Sequence, residues 1–161
     1  MEQLYRTGIP TDEQIEKTKP PKEIRERGPV AVIECFQEIP CDPCYTYCKF
    51  GAIKPFEDIN DLPEIDYEKC NGCSVCIAHC PGLAVFLIDE TYSEDTALIM
   101  IPHEFCPLPE VGETVSGLSR DGEVVTDAKV VKARAPKKGA NVLSLEVPKE
   151  FAYEVRSIKR K

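Results

Sequence analysis

At 161 residues, with no Trp and only 7% aromatic side chains, the chain has room for one modest domain or two small ones but not for a large aromatic core. Its longest apolar runs, AVFLI from Ala84 and ALIMI from Ala97, are too short to span a bilayer, and MEQLYRTGIPTDEQ has no basic-then-apolar leader. A net charge of −8 and nine cysteines therefore lead to the expectation of a soluble, cytoplasmic protein with metal or redox chemistry, because reducing conditions disfavour disulfides and an odd number cannot all pair.

Residues 1–29 are polar and broken by Pro10, Pro20, Pro21 and Pro29, which predicts an extended N-terminal arm with at most one short helix near Thr11 to Thr18. Residues 30–106 hold all nine cysteines. Within them VAVIE, EID, AVFLID and ALIMIP read as short strands, the last two forming a hairpin across ETYSEDT. From residue 107 to 161 the texture is all-β. ETVSGL and EVVTDAKVVKARA flank the turn SRDG, VLSLEV alternates with period 2, and Pro148 is expected to open a short helix over KEFAYEV. The predicted architecture is α+β: a cysteine-rich module (30–106) between the extended arm (1–29) and a small β-barrel or meander (107–161).

Charge divides unevenly among these segments. Residues 35–106 carry 3 basic against 13 acidic side chains, a balance of −10, whereas 1–34 and 107–161 stand at −1 and +3. An acidic middle argues against a nucleic-acid surface there and suits docking to basic patches on proteins.

Cys70, Cys73, Cys76 and Cys80 follow the spacing C-x2-C-x2-C-x3-C, with Pro81 next. In that bacterial arrangement the first three thiolates hold one corner of a [4Fe-4S] cube and the fourth reaches a second cube. The short spacers curl the backbone so that amides face the sulfurs, Gly72 permits a tight approach, and Pro81 helps stop a helix from Ser74 to His79. Upstream, Cys35, Cys41, Cys44 and Cys48 give C-x5-C-x2-C-x3-C, 21 residues before the second quartet. The crossed rule then assigns Cys35, Cys41, Cys44 and Cys80 to one cluster, and Cys48, Cys70, Cys73 and Cys76 to the other. If the x5 spacer carries Cys35 out of reach, the first site has three ligands and holds [3Fe-4S] instead. Zinc fits less well, because closed tetrahedral sites want separated pairs and these triplets leave a thiolate spare.

On these residues the segment 30–90 resembles a dicluster bacterial-type ferredoxin. The second motif matches fully; the first departs in its x5 spacer and in Lys49, where proline commonly follows. Through IECFQEIPC, HEFCPLPEVGETV and VPKEFAYEVRSI the whole chain resembles, on weaker motifs, the iron–sulfur subunits encoded beside FAD-dependent amino-acid dehydrogenases of the proline or hydroxyproline type. That resemblance implies a hetero-oligomeric complex in which this subunit relays single electrons between flavoprotein subunits, the flavin residing on them. Two alternatives stand beside it: a freely diffusing ferredoxin, and an iron–sulfur sensory or nucleic-acid-binding protein.

No other constellation carries chemistry. There is no dinucleotide fingerprint, no phosphate-binding P-loop and only two histidines to serve as bases, so no catalytic residue is assigned and the chain is expected to be a non-catalytic, electron-transfer part of an oxidoreductase complex. Lys49, beside Cys48, is a candidate for raising the potential of the nearer cluster, the alternative being a solvated lysine. His79 is expected on the outer face of its helix rather than as a ligand. Cys106, in PHEFCP with His103, is expected to be buried and is excluded from the ligands. Basic runs KARAPKK and SIKRK lack interleaved aromatics and read as solvated or protein-docking surface.

Overall fold

Strand β1 (Val30–Ile33) carries an unbroken apolar run because it is covered on both faces: in the computed structural model, which describes residues 2–161, all four of its residues are buried. It pairs antiparallel with β2 (Val85–Asp89), and β2 with β3 (Thr96–His103), forming the expected hairpin across residues 90–95. Alternate side chains then diverge. Val32, Phe86, Ile88, Ala97, Ile99 and Ile101 enter one core, while Ile33, Val85 and Leu87 enter another on the opposite face.

The chain continues into β4 (Thr114–Leu118), β5 (Val124–Arg134) and β6 (Asn141–Pro148), then a single 3-10 turn (Lys149–Phe151) and β7 (Ser157–Lys159). All seven strands join one antiparallel sheet in the order β1-β2-β3-β6-β5-β4-β7. The junction at residues 106 and 107 is thus crossed by the sheet itself, since β3 pairs with β6 over eight positions from Thr96↔Pro148 to His103↔Asn141. Period-2 alternation in VLSLEV puts Leu143, Leu145 and Val147 into the same core as Ile99 and Ile101, together with Val115, Val130, Val155 and Ile158. β4, β5 and β6 form the expected meander. The barrel alternative is not formed: β1 and β7 remain edges of an open sheet.

Three local expectations are corrected. The arm contains three short helices, α1 (Glu2–Thr7), α2 (Asp12–Thr18) and α3 (Lys22–Arg25), rather than at most one. Its prolines lie between the helices and so punctuate them instead of forbidding them; Pro21 is the N-cap of α3, and Thr11 and Gln14 form a reciprocal capping box on α2. Leu4 and Ile24 bury the arm against the body, and Arg25 forks onto Glu90 at 2.9 and 3.2 Å. EID contributes only an isolated bridge, Ile53↔Ile65, because its partner lies in the irregular loop after Cys48, which does not extend the ladder. Finally, Pro148 is the last residue of β6 and the N-cap of a 3-10 turn, not the first residue of a helix; Lys149 spends its amide on Asp95 instead.

Candidate metal centres

Where β1 ends, Glu34 donates its amide to Ala84 O at 2.8 Å, and Cys35 follows at once. The widened spacer bulges through Pro40 and returns with Cys41, whose amide meets Ile59 O at 3.1 Å. Helix α4 (Pro43–Thr46) opens on a proline at its first position, carries buried Cys44, and delivers Cys48 one turn later. The connector 49–69 folds back on itself through the Ile53↔Ile65 bridge and the bonds Lys54 N to Glu64 O and Asp66 N to Ala52 O.

The second motif enters through Gly72, at φ +67°, where an added Cβ would lie 2.6 Å from Pro29 O. Only glycine lets the loop lie this close to the start of β1. Ser74, also left-handed at φ 63°, caps helix α5 (Val75–His79); Cys76 lies in that helix and Cys80 is its C-cap. Residues 134–140 support α5 from the far end of the sequence. Arg134 Nη2 donates to Ser74 Oγ at 2.7 Å, Ala140 N donates to Ala78 O at 2.8 Å, and Gly139 passes so close to Ala78 O that no side chain fits.

These elements build two cavities on the face of the sheet lined by Ile33, Val85 and Leu87. One is walled by Cys35, Cys41, Cys44 and Cys80 with Ile33 and Val85; the other by Cys48, Cys70, Cys73 and Cys76 with Ala31 and Leu87. Each thus draws three cysteines from one motif and the fourth from the other. The widened spacer does not exclude Cys35, which packs against the same cluster of buried side chains as Ile33. Among the described residues no group of three or more His, Cys, Asp or Glu side chains is placed to hold a metal ion, and the cysteines are found as lining of the two cavities.

Burial is the dominant electrostatic influence on the thiols. It pushes Cys44 up to about 11 and Cys76 up to about 12, with the neighbouring cysteines of the same cavity adding to the rise. Metal coordination counteracts such a shift because it binds the thiolate and releases the proton. Backbone donors already face two sulfurs: Ala52 N lies 3.2 Å from Cys48 Sγ and Ala84 N 3.3 Å from Cys80 Sγ. They are the two cysteines that cross between motifs.

One side chain, Cys106, sits differently from its sequence reading. His79 stacks on Tyr47, ring centroids 3.6 Å apart and planes at 3°, so the residues preceding Cys80 and Cys48 touch one another. Cys106 is exposed, not buried, while His103 is the buried member of that pair. Lys49 is exposed. Sequence reasoning missed a buried charge triad: Arg120 and Arg156 both converge on Glu34. No local pattern relates positions 86 and 122 residues apart; the one available signal was a glutamate ending an otherwise apolar strand.

Residues 62–86 match a family described as the 4Fe-4S binding domain, the stretch that includes Cys70, Cys73, Cys76 and Cys80. The chain carries a ferredoxin-type 4Fe-4S domain. Over 52 residues it is 40% identical to pyruvate synthase subunit PorD of Methanocaldococcus jannaschii, a match covering 32% of this chain and 58% of that protein. It is 42% identical over 59 residues to a selenate reductase subunit of Mesobacillus selenatarsenatis, covering 36% of this chain and 20% of the relative. With a subunit of the ion-translocating oxidoreductase complex of Methanosarcina acetivorans the identity is 45% over 49 residues, 30% of this chain and 17% of the relative. These relatives, named as subunits of oxidoreductases or of an oxidoreductase complex, are matched over less than two thirds of their length. No solved structure matches with significance. Among the described residues no helix is long and apolar enough to cross a membrane.

Proposed function

We propose that the chain is a relay subunit holding two [4Fe-4S] clusters, one on Cys35, Cys41, Cys44 and Cys80 and the other on Cys48, Cys70, Cys73 and Cys76. The observation that carries this reading is the pair of cavities, each walled by four cysteines, three from one motif and one from the other. Triplets with C-x2-C spacing joined by one thiol of the other motif suit a cube, whereas a closed zinc site takes two separated pairs.

Bound there, each cluster supplies one-electron redox chemistry at a potential set by its surroundings. The chain's own residues have separate tasks. Eight thiolates anchor the clusters; the amides of Ala52 and Ala84 partly neutralise the crossing sulfurs; Ile33, Val85 and Leu87 exclude water from the sheet side. Because Cys48 follows α4 and Cys80 ends α5, crossing also holds the two sites side by side. Electron transfer of this kind needs no general acid or base.

The companions are expected to be flavoprotein dehydrogenase subunits, since a flavin divides a two-electron oxidation into single steps that such a relay can accept. Similarity to subunits of oxidoreductases supports a complex, and the resemblance of the whole chain to amino-acid dehydrogenase iron–sulfur subunits supports FAD-bearing partners oxidising proline, hydroxyproline or a related amino acid.

Anaerobic purification followed by iron and labile-sulfide analysis tests the cofactor content: about eight of each per chain are expected. A stoichiometric zinc, or about half that iron, overturns the two-cluster reading. Co-purification from the native source tests the partners. A companion carrying flavin and reducing the clusters on addition of its amino-acid substrate is expected; migration as a lone 18.0 kDa chain favours a diffusing ferredoxin instead.

A further inference from the structure

Arg120 and Arg156 come from the β4–β5 turn and from the segment before β7, yet both end on the carboxylate of Glu34, the residue preceding Cys35. Arg120 donates from Nε to Oε2 at 2.9 Å and from Nη2 to Oε1 at 2.6 Å. Arg156 donates from Nε to Oε1 at 2.9 Å, and its Nη2 stands 2.8 Å from the same oxygen without hydrogen-bond alignment. All three side chains are less than a tenth exposed. Two guanidinium groups on one carboxylate leave one positive charge uncompensated and buried. The other carboxylate near Arg156, Glu154, is exposed and solvent-screened.

A buried charge placed here has few ways to be stabilised. The Arg156 guanidinium lies over the Phe86 ring at 4.6 Å and donates to Ala152 O and Val155 O, which orients it without neutralising it. The triad and Cys35 border one cavity of about 480 Å³. Backbone connections are equally short: Glu34 N donates to Ala84 O, and Ala84 N faces Cys80 Sγ. Through Glu34 the triad therefore adjoins the backbone that supports Cys35 and Cys80 in the first cavity. Reduction of a thiolate-bound cube adds one electron and no proton, so its negative charge rises by one unit. A fixed positive charge held on the residue next to Cys35 favours that form. Arg134, near the second site through Ser74, is exposed and correspondingly screened.

We propose that Arg120 and Arg156, held in place by Glu34, act as positioning residues that raise the reduction potential of the cluster on Cys35, Cys41, Cys44 and Cys80. The inference rests on the two-cluster reading above. Its mark is the sign of the effect. Neutralising Arg120 removes the excess charge, whereas neutralising Glu34 doubles it, so the two changes move one potential in opposite directions. A structural role alone has no reason to reverse sign.

The test is an EPR-monitored titration with dithionite of the anaerobically purified full chain, with iron and sulfide measured on each sample. Arg120→Gln is expected to lower one of the two potentials, Glu34→Gln to raise that same potential, and Arg120→Lys to leave it near the original value, the other potential serving as an internal reference. Should Glu34→Gln fail to fold, the Arg120→Gln and Arg120→Lys pair still decides the sign. Shifts in the same direction, equal shifts of both clusters, or no shift in fully loaded variants overturn the inference alone. An unaltered chain lacking cubane iron overturns the cluster reading, and the inference falls with it.

Discussion

Cys48 and Cys80 each end the helical turn of one motif and line the cavity of the other, so a substitution there acts at a distance in sequence. Cys80→Ser is expected to spare the cluster proposed for Cys48, Cys70, Cys73 and Cys76 and to alter the one proposed for Cys35, Cys41, Cys44 and Cys80, visible as lost iron or as a [3Fe-4S] EPR signal. Loss of the other signal instead removes the crossed assignment. His103 offers a second residue-scale prediction. Burial holds its imidazole below the ordinary 6.5, despite the Phe105 backbone contact that acts the other way. The folded form therefore resists protonation, and below about 6.5 the unfolded chain binds the extra proton. Stability is fully present above that pH and declines as pH falls toward the folded value. His103→Asn is expected to flatten this part of the curve, read from thermal midpoints on the acid side of neutrality.

Among the elements, the loop from Cys70 to Ser74 depends on a backbone shape that its sequence announces only at glycine. Gly72→Ala places a methyl group against Pro29 at a left-handed φ, so it is expected to cost about 1–3 kcal/mol and to loosen the second site selectively. Denaturant midpoints together with iron loading check this; unchanged stability and loading refute it. Gly72 and the C-x2-C spacers were legible because their chemistry is local. The left-handed Ser74 was not, since its conformation answers to Arg134 and to the packing of α5, sixty residues from the arginine that holds it. The arm shows the same limit. Prolines mark where helices stop, and the Thr11 capping box predicts α2, but α1 and α3 lie near the minimum helical length and are held by burying Leu4 and Ile24, a gain that no propensity registers.

Across the whole molecule, the sheet makes the cysteine-rich and cysteine-free segments energetically continuous. Leu145 on β6 is fully buried opposite Ile99 on β3, so Leu145→Ala is expected to cost about 2–5 kcal/mol. Because β3 leads through β2 to both cavities, the loss should lower the thermal midpoint followed by cluster absorbance as much as that followed by far-UV circular dichroism. Two separated transitions contradict this coupling. It also gives the C-terminal strands a role beyond surface: they carry Arg120, Arg134 and Arg156 to the sites and brace α5 through Ala140.

By itself the amino-acid sequence determined the two cysteine quartets, six of the seven strands and the inward face of VLSLEV, because ligand spacing and period-2 alternation are properties of neighbouring residues. Tertiary structure alone decided that the seven strands form one open sheet, that Cys35 stays on a cavity wall despite its long spacer, and that Arg120 and Arg156 meet on Glu34. Those outcomes depend on strand pairing and burial between residues far apart in the chain, where the free energy of a contact is set by what else must be desolvated with it.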